Sequence, residues 1–195
     1  MLEILPKIQQ PIVVLSSFRT GGTALCDYIS RNFKYNNFDE VLHDAVPNRT
    51  TKFIEYTKHN HSNYVVKIIP SQINDSNREL ANKILSESYI IKLIRQNINE
   101  QILSLYAASV TNQWHYKNTD KLESYEMPIN IEILQYSATF IKINNQLLEN
   151  FECEPSLNLV YENIGVLESK YIPYHRPINW QEVINALNNI TKPLS

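Results

Sequence analysis

Glycine is almost missing from this chain: among 195 residues there are only Gly21, Gly22 and Gly165. Glycine is the default residue where backbone turns left-handed or approaches a ligand closely, so two of the three side by side mark one place for inspection. Cysteine is scarcer still. Cys26 and Cys153 form neither a disulfide framework nor a four-ligand zinc set, and both read as reduced, buried thiols. No stretch approaches the length of uncharged apolar residues that spans a bilayer. The amino terminus MLEILPKIQQP has no basic segment followed by an apolar one, so neither a membrane segment nor a secretory signal is expected. The chain reads as soluble and cytoplasmic. Charge imbalance is also lacking. Lys and Arg number 18 against 20 Asp and Glu, for a formal net charge of -2, which leaves no global field for nucleic acid or a membrane surface. Any affinity for phosphate therefore has to come from a local site. His59 and His61 stand too close together for a helical ligand pair and have no third partner, so no metal is assigned.

What is present is a core. With 43% hydrophobic and 10% aromatic residues, the chain suits one compact domain over residues 1–195. PIVVLS (Pro11 to Ser16), YVVKII (Tyr64 to Ile69), YIIKLI (Tyr89 to Ile94) and LNLVY (Leu157 to Tyr161) are near-continuous apolar runs and read as buried strands. Helical spacing follows from Thr23 to Phe33, over Ser76 to Ser86, Ile98 to Val110 and about Asn130 to Asn150, and again over Trp180 to Ile190. Lys34 to Arg49 reads as a polar stretch, the residues from there to Tyr64 as weakly ordered, and Thr111 to Pro128 as a loop. Strands alternating with helices predict an α/β fold: a three-layer, P-loop-like arrangement with a central parallel sheet of about four to five strands flanked by helices. Ligands of such sheets sit beyond the carboxyl ends of the strands.

SSFRTGGTAL leaves the first strand, carries the glycine pair and opens a helix. Its backbone amides, from Gly21 and Gly22 through Thr23 and Ala24, and the helix amino terminus point at one anion. Arg19 adds a guanidinium fork, Thr20 and Thr23 two hydroxyls. The nucleotide loop that ends in Gly-Lys followed by Ser or Thr is not present, which disfavours a triphosphate held through magnesium. A tight turn that merely carries an arginine is the ordinary alternative.

SSFRTGGTALCDYIS resembles the 5′-phosphosulfate loop of sulfotransferases that use 3′-phosphoadenosine-5′-phosphosulfate (PAPS). It is most similar to the bacterial branch acting on trehalose-type glycolipids, in which arginine leads the motif and a Leu-Cys pair follows, as Leu25 and Cys26 do here. Gly22 departs from the pattern, standing where the family has a hydroxyl. A second stretch, YIIKLIRQNINEQILSLYAAS, is similar to the family's 3′-phosphate site: Arg95 at a strand end, then Ser104 on the next helix with Gln101 three residues before it. The resemblance implies PAPS as co-substrate, adenosine 3′,5′-bisphosphate as product, no required metal, and a small hydroxyl-bearing acceptor such as a carbohydrate or glycolipid. Neither nucleic acid nor an oligomeric partner is implied.

Sulfuryl transfer needs a base for the acceptor proton and positive charge near the leaving phosphate. Arg19 and the loop amides supply the charge. The histidine that serves as base in the cytosolic relatives has no counterpart, since that place is Ile69. In the bacterial branch the corresponding base is a glutamate after the first helix, which NNFDEVLHD places at Glu40. Such a carboxylate needs burial or a second acid to raise its pKa, and Asp39 beside it is expected to contribute. His43 is the rival base. Lys67, at the end of the second predicted strand, either stands near the sulfuryl group or snorkels to the surface. The carboxyl-terminal glycine-rich loop of many relatives is missing, and Arg176 in PYHRPINW is the cation available there. Trp114 and His115 are placed to form part of an acceptor pocket, since aromatic faces suit sugar rings; a core tryptophan beside an exposed histidine is the ordinary alternative. Two other readings stay open: a non-catalytic nucleotide-binding protein of the same fold, and a phosphoryl-transfer enzyme of related architecture.

Overall fold

Ile12–Ser16 (β1) is the middle strand of a five-stranded sheet in the computed structural model, which describes residues 8–44, 47–59, 63–114, 116–117, 125–165, 171–172 and 176–191. The other strands are Asn36–Glu40 (β2), Tyr64–Ile68 (β3), Tyr89–Ile94 (β4) and Leu157–Val160 (β6). Their order is β2-β3-β1-β4-β6 and every pairing is parallel. A separate antiparallel pair joins Tyr116–Lys117 (β5) to Tyr171–Ile172 (β7).

Alternation along the buried strands sorts side chains onto two faces. Ile12 and Val14 of β1, with Val65, Ile91, Leu93 and Leu159, pack on Leu25, Cys26 and Ile29 of helix Gly22–Phe33 (α1). Val13 and Leu15, with Val66, Ile68 and Ile90, face the opposite layer. That layer takes Phe53 from Pro47–His59 (α2), Ala81 and Ile84 from Arg78–Glu87 (α3), and Leu148 from Ile131–Glu149 (α5). A third cluster binds Ile98–Thr111 (α4), α5 and Trp180–Thr191 (α7) around Tyr106, Leu134 and Val183. Both sheet faces are covered, as continuous apolar strands require, and each fully buried Val, Leu or Ile contributes about 1.5–3 kcal/mol. The fold is a three-layer α/β arrangement around an all-parallel sheet.

Two segments depart from the sequence expectation. Lys34 to Arg49 contains β2 and the start of α2, and the stretch read as weakly ordered carries the rest of α2, to His59. β2 is an edge strand with one neighbour, so its sequence NNFDE has no need of a continuous apolar run. Its register slips between Asn37 and Asp39, and Asp39 adopts a left-handed backbone at φ 51°. This bulge, with one apolar side chain in five residues, hides the strand from any periodicity. The fourth predicted strand stops at Val160, and Tyr161 opens a single helical turn, Tyr161–Ile164 (α6). Among the described residues no helix is long and apolar enough to cross a membrane.

After β1 the chain visits β3's side of the sheet, through β2 and back, and then crosses to β4 and β6. The carboxyl end of β1 is therefore the point where the winding reverses, the place where sheets of this kind bind ligands.

Candidate functional site

Five residues, Ser17 to Gly21, carry the chain from β1 into α1. Thr20 Oγ1 donates to the Ser17 carbonyl at 2.9 Å and ties the turn. Arg19 and Gly21 are both left-handed, with φ of 59° and 83°. Gly21 caps α1 without a side chain, and Gly22, Thr23 and Ala24 supply the helix's first backbone amides. No acidic residue lies in that turn, so the amino-terminal partial charge is available to an anion.

The glycine pair is explained by what surrounds it. A Cβ on Gly21 would fall onto the Tyr161 ring. At Gly22 it would come within 2.8 Å of both Lys67 Cδ and Ser16 Oγ. The lysine stem and a serine hydroxyl thus fill the space that a hydroxyl-bearing residue would need at position 22. Gly21→Ala is expected to lower stability by about 1–2 kcal/mol from the left-handed backbone, with displacement of the tyrosine ring added. The denaturant midpoint should fall with an unchanged slope.

Arg19 and Arg95 meet beneath this loop. Arg95 donates from NH1 to the Arg19 carbonyl at 3.0 Å, which supports the strained turn. Its guanidinium also lies 4.9 Å from the centre of the Tyr161 ring. Arg19 donates from Nε to Ser104 Oγ at 3.0 Å and from NH1 to the Trp114 carbonyl at 2.8 Å. The strand-end arginine, the loop arginine and the helix serine therefore share one wall. Gln101, a turn before Ser104, donates to the Phe18 carbonyl at 2.5 Å and exchanges amide bonds with Asn145, so α4 and α5 grip the loop from behind. Glu162 accepts from the Gln96 and Asn97 amides at 3.1 and 2.9 Å and fixes the turn after Arg95. Burial alone would raise the Glu162 carboxyl, but those amides and Arg95 outweigh it and hold it below the ordinary value. Buried side-chain donors without a hydrogen-bond partner among the described residues include Ser16 Oγ, Ser17 Oγ and Arg95 Nε.

On the other side of the loop, Lys67 is buried and forms a close ion pair with Glu40 Oε1. The same ammonium donates to Thr23 Oγ1 at 2.8 Å and stands 3.9 Å from Asp39 Oδ1. Lys67 does not snorkel; it is threaded past Gly22 to the mouth of α1. Gln72 donates to Glu40 Oε2 at 2.7 Å, and His43 Nε2 lies 4.0 Å from the same oxygen. Asp39 is matched by Arg49 at 3.2 Å.

The expected rise in the Glu40 pKa is not found. Burial pushes it up, but the Lys67 charge and hydrogen bond, the Gln72 amide and His43 together push it further down, below the usual glutamate value. Asp39, paired with Arg49 and 3.9 Å from Lys67, is not among the main influences on it. A carboxyl lowered on folding stabilises the fold above the ordinary glutamate range, and that contribution fades as pH falls through the lowered value. The Cys26 thiol, fully buried, is pushed up by burial and by Asp39, against a smaller opposing effect of Lys67.

Arg176 stands apart from this cluster. It pairs at 3.0 Å with Oε1 of Glu100, one helical turn before Ser104 on α4, and lies 5.6 Å from the centre of the Trp180 ring. Trp114 is half-exposed, and its indole N–H donates to Asn112 Oδ1 at 3.3 Å. His61 and His115 lie outside the described residues. Among those described, no group of three His, Cys, Asp or Glu side chains is placed to hold a metal ion.

Tyr161 is the residue that sequence reasoning missed, since it reads as the last position of a strand. Its place directly beyond a strand's carboxyl end was the available signal. Gln72 offered none: it reaches Glu40 across 32 positions of chain through a 3-10 turn, Pro70–Gln72.

No protein-family model matches the chain, and no curated protein matches its sequence.

Proposed function

We propose that this chain is a PAPS-dependent sulfotransferase that transfers a sulfuryl group to a hydroxyl of a small acceptor, a saccharide or glycolipid. The observation that carries the reading is that Arg19, Arg95 and Ser104 meet at the loop leading into the uncapped amino terminus of α1, together with unspent donors on Ser16, Ser17 and Arg95. Two arginines bridged by one carbonyl suit a ligand with phosphate groups at both ends of a ribose. The loop amides with Arg19 hold the 5′ end, and Arg95 with Ser104 the 3′ end.

Glu40 takes the acceptor's hydroxyl proton as that oxygen bonds to sulfur. The bond from sulfur to the bridging phosphate oxygen breaks, and the electron pair leaves on adenosine 3′,5′-bisphosphate. Arg19, Lys67 and the α1 amides stabilise the charge that grows on that oxygen. Trp114, joined to Arg19 through its carbonyl, offers an aromatic face to a sugar ring.

Calorimetric titration tests the binding half. Adenosine 3′,5′-bisphosphate should bind without magnesium. Tighter, magnesium-dependent binding of ATP would instead support phosphoryl transfer. A second reading, nucleotide binding without turnover, is favoured by one observation: the Glu40 carboxylate is already engaged by Lys67 and Gln72. Incubating labelled PAPS with a panel of sugars, phenols and lipids separates the two, since only the enzyme passes label to an acceptor.

A further inference from the structure

We propose that Lys67 couples occupancy of the anion cradle to the basicity of Glu40, by leaving the carboxylate when an anion seats on the amino terminus of α1. The inference rests on the sulfotransferase reading, because it takes Glu40 as the base and adenosine 3′,5′-bisphosphate as the ligand.

The geometry that carries it is a single ammonium shared between the cradle and the base. Lys67 Nζ donates to Thr23 Oγ1 at 2.8 Å, on the first turn of α1, while it pairs with Glu40 Oε1. Its side chain is 9% exposed, so solvent offers it little alternative. The stem runs alongside Gly22 and Ser16, and the ammonium stands between Thr23 Oγ1, Glu40 Oε1 and, at 3.9 Å, Asp39 Oδ1. An anion in the cradle competes for the same charge, and short-range attraction in a buried site is strong.

Every charged or titratable group around Glu40 bears on the outcome. Asp39 on β2 is paired with Arg49 on α2 at 3.2 Å, accepts from Thr23 Oγ1 at 3.3 Å and lies 3.9 Å from the Lys67 ammonium. His43, in the turn after β2, is 4.0 Å from Oε2, and Gln72 from the 3-10 turn donates a neutral hydrogen bond. Cys26 on α1 is a buried thiol held protonated. Lys67 on β3 is the close cation. Losing it leaves a largely buried carboxylate with an amide and a more distant imidazole, and burial then works to raise its pKa. Glu40 is thus a weak base before the donor arrives and a stronger one afterwards, which delays acceptor deprotonation until sulfur is in place.

Proton counting during binding tests this without turnover. Adenosine 3′,5′-bisphosphate is titrated into the full chain at about pH 5, near the ordinary glutamate range, in buffers of different ionisation enthalpy. The ligand's own phosphate protons contribute equally to wild type and Glu40→Gln, so the difference between them isolates the carboxyl. The expected result is extra uptake by wild type of up to about one proton per site. His43→Gln should keep that difference, measured against His43→Gln with Glu40→Gln. Lys67→Met should abolish it, because the carboxyl then has no ammonium to lose. Should Lys67→Met not fold, Lys67→Gln takes its place, and uptake that persists without the ammonium assigns the proton to direct repulsion by the bound phosphate and overturns the coupling. Binding with identical proton exchange in wild type and Glu40→Gln overturns the coupling and leaves the sulfotransferase reading intact. A difference that disappears in the His43→Gln background assigns the proton to the imidazole and also overturns it. No binding of the bisphosphate removes both.

Discussion

Glu40→Gln is expected to leave adenosine 3′,5′-bisphosphate binding intact, or slightly tighter, while turnover of labelled PAPS falls by a factor of about 100 or more. The amide keeps the size of the side chain and its hydrogen-bonding reach toward Lys67 and Gln72, but it accepts no proton. Removing the carboxylate also frees the Lys67 ammonium for the cradle, which is why affinity should not drop. His43 sits 4.0 Å from the same carboxylate, so His43→Gln is the necessary comparison. Its smaller effect on turnover would keep the base at Glu40. A larger effect there, with Glu40→Gln near wild type, would move the role to the imidazole.

Arg95→Ala carries the second large effect. The bisphosphate should bind about 10- to 150-fold more weakly, the loss of about 1.5–3 kcal/mol expected for a charge-assisted hydrogen bond. The guanidinium does two things at once: one nitrogen supports the Arg19 carbonyl in its left-handed turn, and another is buried without a partner among the described residues. Arg19→Ala should cost a similar amount. The double variant should cost less than the sum, because Arg95 holds the Arg19 backbone in its turn, so losing Arg95 already misplaces the Arg19 guanidinium. Fully additive losses would mean that the two arginines serve separate places. Calorimetry at fixed ionic strength reads all three, since exposed charge effects vary with salt.

Much of the architecture was legible because buried parallel strands announce themselves. PIVVLS, YVVKII, YIIKLI and LNLVY correspond to β1, β3, β4 and β6, and the helices that cover them follow at the expected intervals. The loop was legible for a different reason: in a chain with three glycines, an adjacent pair after a strand is a strong local signal. β2 was not legible. An edge strand buries little, its residues are mostly polar, and a bulge breaks its alternation, so nothing local separates NNFDE from a solvated turn. α2 suffered from the same polarity, with Phe53 and Tyr56 as its main inward contacts.

The residue chemistry of the site is written locally: a guanidinium and two hydroxyls around paired glycines, an arginine ending a strand, a glutamate after the first helix. Local order also dictates that β1 leads through a tight turn into α1, because chain connectivity and apolar periodicity are short-range properties. Tertiary structure decided the rest. It brought Arg19 onto Ser104 across 85 positions and Arg95 onto the Arg19 carbonyl across 76. It laid Tyr161 against Gly21, and it reversed the expected shift at Glu40 by delivering Lys67 and Gln72 to its oxygens. Those outcomes depend on electrostatic partners supplied by distant strands, and the strength of a charge depends on its neighbours in space, which the order of residues along the chain does not state.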